Sequence, residues 1–196
     1  MMLIGRTAGF WGPLTFLGAA AAAAHRQPGY SHQAHHVSGL ASLGEPSARI
    51  MIPGFLALGA SSLVADAPTK TLRRVERAAG ITTIAAGLIR VSEPRCPQPG
   101  LDPLATSSDV GHGAASIATF AFWTAMPFIA AQESEPVWYC RVARVLRVTT
   151  LVMFVTAGLT TRFDSSRKGL AQRAFLMSVF LFQAATSCSS RPTSRS

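Results

Sequence analysis

"VGHGAASIATFAFWTAMPFIAA", Val110–Ala131, contains no Asp, Glu, Lys or Arg. A helix needs about 20 predominantly apolar residues to cross the hydrocarbon core of a bilayer. A charge-free stretch of this length is a membrane span first, and the segment at 143–161 has the length for another. Working outward, further apolar runs lie at 8–24, 49–65, 74–91 and 169–187. The expected fold is all-α, a polytopic membrane protein with a six-transmembrane-helix bundle. It forms one domain over residues 1–196, of which 188–196 are a short polar tail.

Composition supports this. The chain is 48% hydrophobic and 14% charged, against about 25% charged in a soluble domain. The net charge of +9 comes from arginines flanking nearly every apolar run, where they meet lipid headgroups. Nucleic-acid binders gather their basic residues on one face or tail. Membrane lipids are therefore the expected partners, and nucleic acid is not.

The third run is short, with twelve residues between Arg77 and Arg90. Both arginines can snorkel to opposite interfaces, and the same holds for Arg173 inside the sixth. Arg6 and the apolar run to Ala24 imitate a signal peptide, but the later runs favour an uncleaved first span. Six spans put both termini on one side. The basic residues then divide ten to eight, which favours cytoplasmic termini in the inner or plasma membrane. Gly54, Gly59, Gly80, Gly87, Gly113 and Gly158 allow close helix contact, and Pro13, Pro53 and Pro127 mark expected kinks.

The first outward loop, "PGYSHQAHHVSGLASLGEPSA" (Pro28–Ala48), holds His32, His35 and His36, with His25 just upstream. Together with "EPRCPQPGLD", "GHGAASIATFAF" and "RKGLAQRAFLMSVFLFQAA", taken in order, it resembles the bacterial membrane family called domain of unknown function 998. The resemblance covers nearly the whole chain and implies six spans, without an activity. In that family the loop usually reads serine, acid, leucine. Here the triplet is Ser38, Gly39, Leu40, and Glu45 is the acid at hand.

Two functions fit these residues. One is binding of a lipid or small amphiphile at the outer face, under a lid built from Tyr30, Ser38, Glu45, Asp102 and His112. The other is metal-assisted hydrolysis of lipids through His35 or His36, His112 and Asp102, in the manner of an open zinc site. Adjacent histidines rarely share one ion, so the binding reading leads. Ser38, His112 and Asp102 make a triad on paper, but no nucleophile elbow accompanies the serine. No cofactor is implied: a bis-histidine haem needs histidines at matching depth on facing helices, and four of the five lie in or beside one loop.

Further expectations concern individual residues. Asp66, Glu76, Glu93, Asp109 and Glu133 fall at span ends, which argues against proton-coupled transport. Asp109 is the natural N-cap of the fourth span. Val37, Leu40 and Leu43 recur at three-residue spacing, so the loop forms a short amphipathic turn over the bundle mouth, bending at Gly39 and Gly44 and meeting His112. Cys96 falls on the side opposite Cys140 and Cys188, beyond disulfide reach. Trp11, Trp123 and Trp138 are too dispersed to form a ligand cage.

Overall fold

Each apolar run folds as a helix in the computed structural model, which describes residues 2–92, 106–132, 136–163 and 166–189. The helices are α1 (Met2–His25), α2 (Ala48–Val64), α3 (Lys70–Leu88), α4 (Ser107–Ala130), α5 (Val137–Phe163) and α6 (Lys168–Ser189), with a 3-10 turn, η1 (Val37–Ala41), in the first loop. No strand occurs among the described residues.

Among the described residues two helices, α4 and α5, are long and apolar enough to cross a membrane; α2 is apolar but shorter, at 17 residues. The others miss for chemical reasons. Gly9, Gly12, Gly18, Thr7, Thr15 and Pro13 dilute the apolar residues of α1. Its opening turns give α3 Lys70, Arg73, Arg74, Glu76 and Arg77. Lys168, Gln172, Arg173 and Gln183 interrupt α6.

Consecutive helices pack side by side, and α6 returns against α1. Hydrogen bonds show that they alternate in direction. At one end, Asp66 donates its backbone N–H to Gly5, and Gly9 donates its own to Ser187 Oγ. At the other, the first loop meets the end of α3 through Arg90 and the start of α6 through Leu170. The chain's first and last helical turns thus share one end, and the first loop covers the opposite one.

Small residues set the helix spacing. A Cβ on Gly80 would stand 2.7 Å from the Gly59 carbonyl oxygen, and one on Gly59 would stand 2.7 Å from that of Gly80. The α2 and α3 backbones therefore touch. Gly54 makes room for the Ala19 side chain and Gly87 for that of Phe55, whereas Gly113 and Gly158 face open space. Aromatic rings fill the centre: Phe16 lies edge-on to Phe55 and Phe180, and Trp123 edge-on to Phe180. Burial of such rings is a large favourable term wherever water is excluded.

Two local expectations are corrected. Thr106, not Asp109, is the N-cap of α4; Asp109 is the third residue of a capping box, its carboxylate accepting from Thr106 N–H at 2.9 Å. Glu76 is not at a helix end. Because α3 begins at Lys70, Glu76 falls on the buried stripe Leu72, Glu76, Ala79, Thr83 and Ala86, is 2% exposed, and has one carboxylate oxygen without a partner.

Candidate functional site

The first loop begins where α1 runs out at His25. Gly29 and Gly44 take positive φ, +73° and +80°, which glycine adopts without a Cβ penalty. The bends thus fall at Gly29 and Gly44; Gly39 instead sits inside η1. That turn buries Val37 and Leu40 against the bundle, while Leu43 stays half exposed. The loop lies over the mouth as its apolar spacing predicts.

Its anchors are different from the expected one. Arg173, in the second turn of α6, directs one guanidinium nitrogen to the carbonyls of His32 (2.6 Å), His35 (3.1 Å) and Gly169 (2.9 Å). Its other terminal nitrogen donates to Tyr30 Oη at 2.5 Å, and its Cζ lies 5.7 Å from the centroid of the Tyr30 ring. Gln172 Oε1 accepts the Val37 N–H at 2.8 Å. On the far side of the loop Arg90 donates to the carbonyls of Ala41 (3.1 Å) and Ser42 (2.6 Å). Ser47 Oγ reaches both Gln27 Oε1 and the Leu40 carbonyl, and Gln27 Nε2 donates to Glu45 at 2.6 Å.

His112 does not hold the loop. Its Nδ1 sits 2.9 Å from the Ala86 carbonyl and 2.8 Å from that of Ile89, and its Nε2 faces Ser116 Oγ at 3.3 Å. It therefore ties the last turn of α3 to α4. Helix C-termini leave carbonyls unsatisfied, and a ring N–H from a neighbouring helix serves them. His35 accepts the Ser31 N–H through Nδ1, which stabilises a turn within the loop.

Of the five residues expected to form one lid, the four that are described consequently separate. Tyr30 belongs to the Arg173 anchor. Ser38 lines an interior cavity of about 30 Å³ together with Thr83, Ser116, Thr119, Trp123 and Gln172, room for a water molecule or two. Glu45 lines an outer groove of about 660 Å³ with Arg26, Arg49, Arg90, Ile50 and Ile52. His112 borders neither, and Asp102 lies outside the described residues. Among the described residues no three His, Cys, Asp or Glu side chains cluster as metal ligands do. No two of the three tryptophan rings are paired among them either; Trp123 stacks on Phe120.

A model of a known family, described as a protein of unknown function (DUF998), matches residues 10–188. The chain belongs to the DUF998 family. The matched region runs from α1 to the end of α6, so the family unit of this DUF998 protein is the whole helical bundle with its loop. No curated protein and no solved structure matches it.

His36 is the DUF998 loop's charge-sensitive point. Its Nδ1 is buried without a partner and its Nε2 stands 3.3 Å from Thr161 Oγ1 of α5. Burial first, then Lys168, Arg173 and His112, push its pKa down to about 4, with the nearby Gln172 side-chain oxygen, which favours the protonated ring, opposing. The folded loop thus holds His36 neutral, while the free loop takes up a proton near pH 6.5. The stabilisation is complete above about pH 6.5 and is lost as pH falls toward 4. Amide exchange at Val37–Ala41, corrected for intrinsic rate, should accelerate between pH 7 and 5 in the wild type. It should stay flat in His36→Asn; the same acceleration in both proteins would assign the effect to another group.

The residues missed in the sequence are mainly Arg173, Arg90, Gln172, Arg26 and Arg49. One signal was present: a cation inside an apolar helix usually has a specific partner.

Proposed function

We propose that this DUF998 protein crosses the membrane six times, with both termini cytoplasmic, and binds a lipid or small amphiphile in the groove at its outer face. The alternating helices and the shared end of the two termini support an even number of crossings. The most apolar stretch of α5 is only 22% buried within the bundle, with Val145, Val148, Leu151, Val152, Val155 and Leu159 turned outward. That is the distribution a lipid-facing helix needs, because lipid tails replace the buried core of a soluble helix. About 18 Å of apolar α3 between Arg77 and Arg90, at 1.5 Å per residue, is shorter than the bilayer core. Arg90 nevertheless reaches polar carbonyls of the loop.

The groove carries the binding reading. It places an apolar floor, Ile50 and Ile52, beside three guanidinium groups, Arg26, Arg49 and Arg90. This pairing of chemistries suits one molecule with a charged head and an apolar tail. Lipid mass spectrometry of protein purified in mild non-ionic detergent tests it. The wild type should retain an amphiphile that the Arg26→Gln/Arg49→Gln double variant loses. Equal retention by both proteins contradicts the assignment.

A further inference from the structure

We infer that the occupant of the groove carries a phosphate monoester headgroup, a selection that rests on the amphiphile-binding reading above. The three guanidinium groups arrive from three different helix ends: Arg26 just beyond α1, Arg49 in the first turn of α2, and Arg90 just beyond α3. Arg26 and Arg49 are exposed, and among the described residues neither side chain makes a hydrogen bond or an ion pair. Arg90 is aimed in advance, since its Nε and one terminal nitrogen are already held by the Ala41 and Ser42 carbonyls.

A second feature adds to the same charge. The start of α2 borders the groove, and its N-cap, Ser47, makes no capping hydrogen bond, because its hydroxyl is engaged with Gln27 and Leu40. No acidic residue lies in the first turn of that helix. The positive end of α2 is therefore left without the side chain that usually neutralises it; its Ala48 and Ile50 N–H groups already donate to the Glu45 and Ser47 carbonyls, so what it adds to the groove is the field of the helix dipole.

Charge and shape then choose among anions. Among the described residues three arginines and Glu45 line the groove, which leaves an excess of two positive charges among them. A phosphate monoester carries roughly −1.5 to −2 near neutral pH and offers three acceptor oxygens. A carboxylate brings one charge and two coplanar oxygens, too few for guanidinium groups approaching from three helices. Ile50 and Ile52 supply the apolar wall along which an acyl chain runs, and this commits the occupant to a lipid rather than free phosphate.

The test uses full-length protein in non-ionic detergent, titrated with dioleoyl phosphatidic acid, oleate and inorganic phosphate and read by native mass spectrometry. Phosphatidic acid should bind at least tenfold more tightly than oleate, and inorganic phosphate should not compete at millimolar concentration. Arg49→Gln should weaken phosphatidic acid about tenfold and flatten its salt dependence, while leaving oleate nearly unchanged. Equal affinity for oleate and phosphatidic acid would overturn the headgroup assignment and leave the amphiphile reading standing. Binding of neither would overturn both. Competition by inorganic phosphate at the level of phosphatidic acid would show that the lipid tail plays no part.

Discussion

Gly80→Val should separate α2 from α3 and cost about 3 kcal/mol or more, at the upper end of overpacking penalties. The obstacle is backbone: the new Cβ would meet the Gly59 carbonyl oxygen at 2.7 Å and the Leu63 nitrogen at 3.2 Å. A side chain could rotate away, but a helix can only shift as a body. In a lipid or detergent setting the loss is aggravated, because close packing is what holds helices together there. Gly113→Ala is the matched control. Nothing stands within 4 Å of its added Cβ, and alanine gains about 1 kcal/mol of helix propensity. Thermal unfolding in detergent should show a large drop for Gly80→Val and no drop for Gly113→Ala. Equal melting temperatures would mean that α2 and α3 do not touch at this pair.

Arg173→Met should release the first loop while leaving the helices intact. Methionine keeps most of the stem but removes every donor, so the carbonyls of His32 and His35 and the Tyr30 hydroxyl lose their common partner. A hydrogen bond from a charged donor is worth about 1.5–3 kcal/mol net, and the set is partly redundant. An overall loss of about 2–4 kcal/mol in loop stability follows, a roughly thirty- to several-hundred-fold rise in exchange at Val37–Ala41. Arg173→Lys should fall between, since an ammonium group lacks the planar fork that serves several acceptors at once. Unchanged protection in Arg173→Met would show that Gln172 and Arg90 suffice to hold the loop.

These two variants mark where the sequence was informative and where it was not. The six described helices were legible because each is built on an apolar run flanked by charge, and the observed ends fall within a few residues of the expected ones except at α1 and α5. Those two helices extend outward past Arg6 and Arg141, since a helix continues into the polar zone without any change of period. Glu76 was misjudged for a related reason: beginning α3 at Lys70 rather than residue 74 moves an acidic residue from the rim to the buried stripe.

The candidate site was less legible. The apolar spacing of Val37 and Leu40 placed the loop correctly, because burial has a period that sequence displays. Its anchors have none. Arg173 lies 141 residues from His32 in the chain, and a lone arginine near a helix start reads equally as a snorkelling residue. His112 shows the same ambiguity, since a histidine at a helix mouth serves whichever carbonyls the neighbouring helix presents. Here those belong to the end of α3 rather than to the loop.

Everything proposed for the groove depends on which side of the membrane the loop occupies, and membrane-impermeant maleimide labelling of intact cells reads that directly. Cys188 is exposed near the end of α6, and Cys96, which lies outside the described residues, follows α3 in the sequence. Buried Cys140 reports on unfolding during the assay. Six crossings with cytoplasmic termini predict that Cys96 labels on intact cells and that Cys188 labels only after the membrane is opened. Labelling of Cys188 with protection of Cys96 would place the groove on the cytoplasmic leaflet, and labelling of both on intact cells would contradict the six-span account itself.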